Sequence, residues 1–409
     1  MSKVALAYSG GLDTSVAIKW LKDNRGLDVV AVAVDVGQGA EMATLRRRAL
    51  NAGAVAAYAV DVRDRFVRDF CFAALKANAL YEGFYPLNSA LSRPIISEEL
   101  IRIARKDKCE WLAHGCTGKG NDQARFEAAG AALAPDLKVI APVREWEFKT
   151  REDEIGYAEK HGIPVPVTRK SPYSIDRNIW GISVECGALE DPWEVPPEHA
   201  YQITVSPEKA PDKVTGVEIE FENGAPVGVN GKRLGPVELL SKLNTLGAAN
   251  GVGRIDLVEN RLVGIKSREV YEAPGATILL SAHRALEQLV LGRELMHLKM
   301  QMSDLFARVI YDGLWFSDLR EGLSAFMDST QRYVTGALRL RLYKGNCTVV
   351  GRRSPFSLYR HELATYSAGD AFEHSAATGF LAIRNLPLRA EGERRESAAK
   401  PPKGPKRGK

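Results

Sequence analysis

Near its start the chain carries the stretch Val4-Ala5-Leu6-Ala7-Tyr8-Ser9-Gly10-Gly11-Leu12-Asp13-Thr14-Ser15. A short apolar run is followed there by a turn with two adjacent glycines, and a helical pattern begins directly after it. This order predicts a β-strand, a tight loop and the N-terminus of an α-helix. Such a corner presents free backbone N–H groups and the positive end of a helix dipole, which together bind phosphate. The two glycines allow close approach of an anion, the hydroxyl side chains supply donors, and Asp13 could hold a magnesium ion through oxygen. The stretch therefore predicts a phosphate-binding loop.

This loop is neither a Walker A sequence nor a G-x-G-x-x-G fingerprint. It resembles the SGGxD[ST] loop of the N-type ATP pyrophosphatases, which hold the pyrophosphate half of ATP while the α-phosphate is attacked. A simple turn between a strand and a helix, rich in serine and glycine, is the structural alternative. The position of the stretch at a strand-to-helix corner favours phosphate binding.

The composition is that of an ordinary globular protein: 409 residues, with 45% hydrophobic and 26% charged residues. No apolar run approaches the length of a membrane span and the N-terminus lacks a signal pattern, so we expect a cytoplasmic protein without a membrane partner. The five cysteines are scattered, which argues against a disulfide framework or a zinc ribbon. The net charge of +5 equals that of residues 389–409, so the neutral remainder predicts no nucleic-acid partner.

The first 165 residues alternate between strand-like and helical patterns. After the opening strand, near-continuous apolar runs predict strands buried on both faces of a parallel sheet, at 28–36, 54–62, 110–114 and 138–143. Helical patterns lie between and after them, at 41–52, 63–78, 95–107, 120–130 and 151–161. This alternation predicts a doubly wound α/β domain, in which ligands bind at the carboxyl ends of the strands.

The sequence changes character after Ile163-Pro164-Val165-Pro166 and becomes richer in proline, glycine and loops. We expect a second domain of the α+β class there, with a strand at 214–221. Two long amphipathic helices are predicted at 276–301 and 303–327. A β-hairpin is predicted from strands at 338–343 and 347–350, bridged by Lys344-Gly345-Asn346.

A second polar stretch ends a predicted strand and opens a helix. Its sequence is His114-Gly115-Cys116-Thr117-Gly118-Lys119-Gly120-Asn121-Asp122-Gln123-Ala124-Arg125-Phe126. Its glycines free the backbone to wrap a ligand. A hydroxyl, an amide, a carboxylate and a guanidinium lie within about two helical turns. That set can hold a zwitterionic amino acid, because carboxylate and guanidinium pair with its charged groups. The alternative is that Asn121 or Asp122 only caps the helix.

The two stretches together resemble the argininosuccinate synthases. The likeness continues through Ser92-Arg93-Pro94, Pro172-Tyr173-Ser174-Ile175-Asp176, Glu190-Asp191-Pro192-Trp193 and the segment 252–261, and covers roughly residues 3–385. It implies a ligase that joins L-citrulline to L-aspartate in arginine biosynthesis, with ATP as a substrate and Mg²⁺ accompanying the nucleotide. The ureido oxygen of citrulline would attack the α-phosphate, and the aspartate amine would then displace AMP.

The resemblance also implies a role for individual residues. ATP contacts are implied for Ala7, Tyr8, Ser9, Gly10, Gly11, Leu12, Asp13, Thr14, Ser15, Val34 and Gly115. Aspartate contacts are implied for Thr117, Asn121 and Asp122. Citrulline contacts are implied for Tyr85, Ser89, Asn121, Arg125, Ser174, Ser183, Glu259 and Tyr271. The candidate catalytic residues are Asp13, Asp122 and Arg125, and no residue is expected to ligate a resident metal.

Each of these residues also has a structural alternative. Tyr85 and Tyr271 could be core aromatics, the serines turn residues, and Glu259 a member of a surface ion pair. The chain departs from the family at Val34, where alanine is usual, and at Cys116, which replaces a common alanine. It departs again where Asn88-Ser89-Ala90 replaces a usual Gly-Thr-Ser or Gly-Thr-Ala.

The resemblance divides the chain into a nucleotide-binding domain at 1–166, a synthetase domain at 167–355, an oligomerisation segment at 356–388 and a basic, disordered tail at 389–409. It implies a homotetramer. An ATP pyrophosphatase that thiolates RNA or forms an amide would need sulfur-relay cysteines or a glutaminase module, and neither is visible. A non-catalytic relative would be expected to have lost Asp13, Asp122 or Arg125, and all three are present.

Overall fold

A parallel sheet forms the N-terminal half of the computed structural model, which describes residues 2–164 and 172–399. Its five strands are β1 (Lys3–Ala7), β2 (Asp28–Asp35), β3 (Ala56–Asp61), β4 (Trp111–Ala113) and β5 (Lys138–Ile140). The spatial order is β3-β2-β1-β4-β5. Chain order reverses at β1, so the loop that follows β1 lies at the topological switch point, where doubly wound sheets bind ligands.

The near-continuous apolar strands are explained by two cores, one on each face of this sheet. Ala5 and Val30 belong to one core, whereas the alternating residues Val4, Leu6 and Val29 belong to the other. Residues one apart on a strand point to opposite faces, and both faces here are covered. The doubly wound α/β class predicted from the sequence is confirmed.

Helices pack around this sheet, and most begin and end within three residues of the predicted positions. They are α1 (Leu12–Arg25), α2 (Met42–Asn51), α3 (Arg63–Arg65), α4 (Phe72–Lys76), α5 (Asn88–Lys106), α6 (Asp122–Leu133), α7 (Pro142–Glu145) and α8 (Arg151–Lys160). The helix predicted at 95–107 is wrong at its start, because it begins at Asn88 and contains Pro94. A π-helical turn at Phe66–Cys71 joins α3 to α4. The strand predicted at 138–143 is wrong at its end, because Pro142 starts α7 with the fixed φ that suits a first helical turn.

The second half of the chain forms two antiparallel sheets. Its strands are β6 (Ser174–Asn178), β7 (Gly181–Glu185), β8 (Thr215–Glu222), β9 (Ala225–Val229), β10 (Lys232–Arg233), β11 (Arg254–Asn260), β12 (Lys266–Glu272), β13 (Gly336–Tyr343) and β14 (Asn346–Arg353). One sheet has the order β11-β12-β7-β6 and the other β10-β9-β8-β13-β14. The predicted boundary after residue 166 falls within residues 165–171, outside the described part of the chain.

The helices of this half are α9 (Pro236–Ala249), α10 (Pro274–Val290), α11 (Arg293–Tyr311) and α12 (Asp318–Thr330). The prediction of two long helices is therefore wrong, since three occupy that region. The chain is extended at Leu291 and Gly292, with ψ of 137° and 151°, and α11 ends before Gly313, whose φ is +80°. The predicted β-hairpin is confirmed, with a tighter turn in which only Lys344 and Gly345 lie outside the strands, both at positive φ.

The described residues from Leu358 to Ala399 belong to a compact unit of their own. It contains α13 (His361–Ala364), α14 (Ala376–Arg384) and α15 (Leu386–Ala399). The predicted disorder from residue 389 is wrong for residues 389–399, because α15 continues through this stretch of alanine, glutamate and arginine, which favour helix. Residues 400–409 lie outside the described part. No helix in residues 2–164 or 172–399 is both long and apolar enough to cross a membrane.

Candidate active site

The loop after β1, residues 8–15, has the geometry of an anion-binding corner. Gly10 has a φ of +79°, and a Cβ on it would lie 2.3 Å from Leu45 Cδ2, so only glycine fits. Gly11 is the N-cap of α1, and no side chain caps the helix there. Ser9 Oγ lies 3.1 Å from Thr14 Oγ1. The first backbone N–H groups of α1 therefore remain open to a ligand anion.

The loop after β4 packs directly on this corner. A Cβ on Gly115 would lie 2.8 Å from Thr14 Cγ2, closer than a side chain can approach. Val34 is buried near the carboxyl end of β2, which is also adjacent to β1. The fold thus brings together the two polar stretches found in the sequence, because β1 and β4 are neighbours in the sheet.

A polar pocket continues from these loops into the second half of the chain. Its lining comes from α5, α6 and the loops before them, from α11, and from the sheet β11-β12-β7-β6 with the turn between β11 and β12. It comprises Tyr85, Ser89, Gly120, Asn121, Asp122, Arg125, Asp176, Ser183, Glu185, Glu259, Arg261, Glu269, Tyr271 and Tyr311. The side chains carry both signs of charge, as a zwitterionic ligand requires.

Arg125 supplies the cationic side of the pocket. It is 5% exposed, Nη1 donates to Asp122 Oδ1 at 2.8 Å, and Nε donates to the carbonyl of Tyr311 at 2.9 Å. Its Nη2 is buried and has no hydrogen-bond partner among the described residues. A buried guanidinium nitrogen without a partner is costly. A ligand carboxylate would satisfy it.

Asp122 lies between two arginines. Its Oδ2 accepts from Arg93 at 2.7 Å, and its Oδ1 accepts from Arg125. Burial acts to raise the pKa of Asp122, but the two guanidinium groups outweigh it and lower the pKa to about 2. Arg93 also donates to Asp176 at 2.7 Å, so it joins α5 to both α6 and β6.

Glu259 supplies the anionic side. Its Oε2 accepts from the Tyr271 hydroxyl at 2.5 Å, and its Oε1 accepts from the Tyr311 hydroxyl at 2.7 Å. Tyr271 also lies 3.0 Å from Glu269 Oε2. Burial, together with the nearby charges of Glu259 and Glu185, raises the pKa of Glu269 to about 8. Near neutral pH, Glu269 is therefore protonated and can donate to the Tyr271 oxygen.

Hydrogen bonds across the pocket join the two halves of the chain. Asn121 Oδ1 accepts from the backbone N–H of Leu262 at 2.8 Å, and Arg261 donates to the carbonyl of Lys119 at 3.3 Å. Ser89 Oγ lies 3.1 Å from Ser183 Oγ. These contacts hold the pocket walls from the two halves of the chain against each other.

Comparison with known proteins identifies the family. Residues 3–164 match the family model of the arginosuccinate synthase N-terminal HUP domain, and residues 173–391 match that of the arginosuccinate synthase C-terminal domain. The chain belongs to the argininosuccinate synthase family. The argininosuccinate synthase of Chlorobium luteolum is 56% identical over 391 residues, which span 96% of this chain and 98% of that protein. The argininosuccinate synthase of Geobacillus kaustophilus is also 56% identical, over 387 residues, or 95% of each chain.

Most of the predicted amino-acid contacts of an argininosuccinate synthase meet in this pocket. It is lined by Tyr85, Ser89, Asn121, Asp122, Arg125, Ser183, Glu259 and Tyr271. Thr117 and Ser174 do not line it, and both are exposed. Ser174 and Asp176 lie two positions apart on β6, so their side chains point to the same face of the strand. Ser174 is the first residue of β6 and lies beyond the edge of the pocket.

The structural alternatives fail for Asn121 and Glu259, whereas the two tyrosines are core residues with hydrogen-bonded hydroxyls, as their alternative predicts. The Asn121 side chain makes no cap hydrogen bond, because its amide donates to Tyr311 and its carbonyl accepts from Leu262. Glu259 is 2% exposed and so does not belong to a surface ion pair. Tyr85 and Tyr271 are buried with ring centroids 4.2 Å apart, and they line the pocket as well as the core.

The departures from the argininosuccinate synthase pattern have different consequences. Ser89 keeps a hydroxyl in the pocket. Burial raises the pKa of the Cys116 thiol, so its reactive thiolate form is disfavoured. Asn88 is fully buried, and its amide atoms have no partner among the described residues. Nothing in the structure explains the asparagine there.

Sequence reasoning missed five side chains that line the pocket: Asp176, Glu185, Arg261, Glu269 and Tyr311. It also missed Arg93, which donates to Asp122 and Asp176 from outside the lining. Arg93, Asp176 and Arg261 lie inside the stretches that carry the family resemblance. Their charged side chains within those motifs could have identified them as candidate site residues. Tyr311 follows Val309 and Ile310 at the end of an amphipathic helix. Its position in the sequence is that of a core residue, so the sequence does not distinguish it from its apolar neighbours.

Proposed function

We propose that this chain catalyses the ATP-dependent condensation of L-citrulline with L-aspartate, which gives argininosuccinate, AMP and diphosphate in arginine biosynthesis. The observation that carries the proposal is a pocket beside an anion-binding loop. It holds an Arg125 guanidinium nitrogen that has no partner among residues 2–164 and 172–399, and a Glu259 carboxylate held by two tyrosines. Membership of the argininosuccinate synthase family over almost the whole chain supports it.

ATP is proposed to bind at the loop after β1. The backbone N–H groups of residues 12–14, in the first turn of α1, face the phosphates, with hydroxyls from Ser9 and Thr14. Ser15 lies behind them, because its N–H donates to the Gly11 carbonyl and its buried hydroxyl lies 3.1 Å from that of Tyr8. Gly115 allows the two loops to approach each other, and Val34 lies next to the nucleotide at the end of β2. Donors fixed in this way stabilise the charge that develops on the departing diphosphate.

Citrulline is proposed to lie between Arg125 and Glu259, with its carboxylate on the free Nη2 and its ammonium on the carboxylate of Glu259. Tyr85, Ser89, Asn121, Ser183 and Tyr271 complete the walls of this site, and Ser174 lies at its outer edge. Fixed partners at both ends of the amino acid orient the ureido group toward the phosphate loop, which converts a bimolecular attack into an aligned one.

Aspartate is proposed to bind at the loop before α6, with Thr117 and Asn121 on its carboxylates and Asp122 on its ammonium. The low pKa of Asp122 keeps it charged over the physiological range. Because Asp122 also contacts Arg125, which is the proposed citrulline contact, the two amino acids would occupy neighbouring sites.

The reaction needs alignment and charge neutralisation, and no covalent bond to the protein. The ureido oxygen of citrulline forms a bond to the α-phosphorus while the bond to the diphosphate breaks. The aspartate ammonium gives up a proton to solvent, and the resulting amine attacks the ureido carbon. The C–O bond to AMP then breaks, and the nitrogen loses a second proton to solvent. Asp13, Asp122 and Arg125 are the proposed catalytic residues, since they face the phosphates, aspartate and citrulline.

Mg²⁺ is proposed to accompany the nucleotide. The residues at the phosphate loop suit it, because Asp13 has a second carboxylate beside it, that of Glu154 on α8. Burial and the neighbouring Asp13 raise the pKa of Glu154 to about 8, and its buried Oε2 has no hydrogen-bond partner among the described residues. Mg²⁺ typically binds one or two carboxylates together with substrate phosphates. When bound, it would neutralise phosphate charge.

We further propose a homotetramer in the cytoplasm. Large apolar side chains of the C-terminal unit are exposed, among them Tyr366, Phe372, Phe380, Ile383 and Leu388. Such a concentration of exposed apolar surface is typical of a segment that packs on another subunit. All five cysteines are free thiols, which suits a reducing compartment.

Mass spectrometry of the reaction products tests the proposed function. The purified protein is incubated with ATP, Mg²⁺ and citrulline, with and without aspartate. We expect argininosuccinate, AMP and diphosphate together, and argininosuccinate only when both amino acids are present. If folded protein bound ATP but never released AMP, the proposal would be wrong.

A further inference from the structure

Tyr311, at the end of α11, touches both charged sides of the amino-acid pocket. Its hydroxyl lies 2.7 Å from Glu259 Oε1, and its backbone carbonyl lies 2.9 Å from Arg125 Nε. The ring is 1% exposed and stacks on Tyr81, with centroids 3.5 Å apart. One residue therefore contacts both Glu259 and Arg125.

The direction of each hydrogen bond at the Tyr311 hydroxyl is fixed by its neighbours. Asn121 Oδ1 accepts from the backbone N–H of Leu262, so its Nδ2 must face Tyr311 and donate to the phenolic oxygen at 2.8 Å. The hydroxyl hydrogen then points at Glu259 Oε1. Since the other oxygen of Glu259 accepts from Tyr271, both oxygens of this carboxylate are held.

The end of α11 also holds Arg125, the cationic side of the pocket. The guanidinium carbon of Arg125 lies 5.0 Å from the centre of the Tyr311 ring, a cation–π contact. A Cβ on Gly313, two residues later, would lie 2.7 Å from Arg125 Cα, so the end of α11 is in tight contact with α6. Nε and Nη1 of Arg125 are occupied by protein acceptors, so Nη2 is the nitrogen that can bind a ligand.

We propose that Tyr311 is a positioning residue for citrulline, which sets the separation and orientation of Glu259 and Arg125 without touching the reacting atoms. This inference rests on the proposed function, because it takes citrulline to lie between those two side chains. The distance between an ammonium and a carboxylate on one α-carbon is fixed, so the protein groups that pair with them must be spaced accordingly. The Tyr311 hydroxyl and carbonyl provide that spacing.

Tyr311→Phe tests the inference, since it removes the hydroxyl and keeps the ring and the backbone carbonyl. A lost hydrogen bond to a charged group predicts a rise of about tenfold in the KM for citrulline. We expect the KM for ATP and for aspartate to stay within about twofold of wild type. Tyr333→Phe is the matched control, because Tyr333 is half-exposed and does not line the pocket, so its variant should match wild type in all three constants.

Thermal unfolding of Tyr311→Phe beside wild type makes the test independent of how well the variant folds. A positioning role predicts a raised KM for citrulline in protein that is fully folded at the assay temperature, whereas a folding defect lowers the amount of active enzyme and leaves the KM for citrulline unchanged. An unchanged KM for citrulline in Tyr311→Phe, or equal rises for all three substrates, would overturn the inference. Failure of the wild-type protein to form argininosuccinate would instead overturn the proposed function, so the two failures are distinct.

Discussion

Gly115 lies so close to Thr14 that a single added methyl group would come within 2.8 Å of the Thr14 methyl carbon. The glycine thus fixes how closely the loop after β4 approaches the phosphate loop. Its φ is not in the left-handed region, so the requirement is for space and not for a special backbone conformation.

Gly115→Ala should therefore weaken nucleotide binding selectively. The methyl group would push Thr14 and the start of α1 away from the ATP position, and we expect the KM for ATP to rise by about tenfold, as for an overpacking cost above about 1 kcal/mol. Steady-state kinetics with each substrate varied in turn measures this. Gly118→Ala, in the same loop, is the control, because nothing lies within 4 Å of the position that its added methyl group would take. Equal effects of the two substitutions would contradict the assignment.

Asp122→Asn tests the proposed aspartate site. The amide retains the shape and one acceptor oxygen but loses the charge that would pair with the aspartate ammonium. We expect the KM for aspartate to rise by at least about tenfold. Citrulline-dependent exchange of labelled diphosphate into ATP, which omits aspartate, should fall less.

The comparison variant for this prediction is Asp176→Asn, which removes the other carboxylate partner of Arg93. If the effect of Asp122→Asn comes from the loss of an aspartate contact, Asp176→Asn should raise the KM for aspartate far less. Similar effects of both would indicate that Asp122 acts through Arg93 as a structural ion pair.

Glu269 should make the stability of the protein depend on pH. Its pKa is raised by burial to about 8 from an ordinary value near 4.5, so between these values the folded state holds a proton that the unfolded state has lost. Stability therefore falls as the pH rises through this window and levels off above about pH 8. Between about pH 6 and pH 9 we expect a loss on the order of 2 kcal/mol, measured by urea unfolding.

Glu269→Gln is the matched variant, because glutamine reproduces the protonated acid. Its Oε1 can accept from Arg261, as Glu269 Oε1 does, and its Nε2 can donate to the Tyr271 oxygen. The fall in stability over the same pH range should be smaller in this variant. An identical fall in both proteins would assign the pH dependence to another group.

Truncation after Ser357 should abolish the proposed tetramer. It removes the C-terminal unit with its exposed apolar side chains, and with it the surface proposed to pack on another subunit. Light scattering coupled to size-exclusion chromatography should show a mass below four subunits. Truncation after Ala399 removes the net basic charge of residues 389–409 but leaves α15 intact, and should leave the mass per assembly at four subunits.

The parallel sheet could be predicted from the sequence because each of its strands is marked by residues that are adjacent in the chain. Each strand is an apolar run, and the glycines after β1 and β4 mark where the backbone must turn or approach closely. The break between α10 and α11 was missed, because Leu291 continues the apolar pattern and only one glycine interrupts it.

The contacts inside the pocket depend on residues far apart in the chain. Arg93 and Asp176 are separated by 83 positions, and Asn121 and Tyr311 by 190. A single sequence contains no record of such pairs. Tyr311 in particular has the spacing of a core residue, and its role rests on a hydroxyl whose partners come from β11 and the residue before α6.

The hydrogen bonds that cross the pocket, from Asn121 to Leu262 and from Arg261 to Lys119, restrict how substrates reach it. A hinge opening between the nucleotide half and the sheet that carries Glu259 would break both of them, together with the contact between Ser89 and Ser183. Leu262 and the residues after it in the turn between β11 and β12 are instead half-exposed or exposed. Local displacement of this turn would break the two hydrogen bonds made by Leu262 and Arg261 but leave Ser89 against Ser183, so it costs less than separating the two halves.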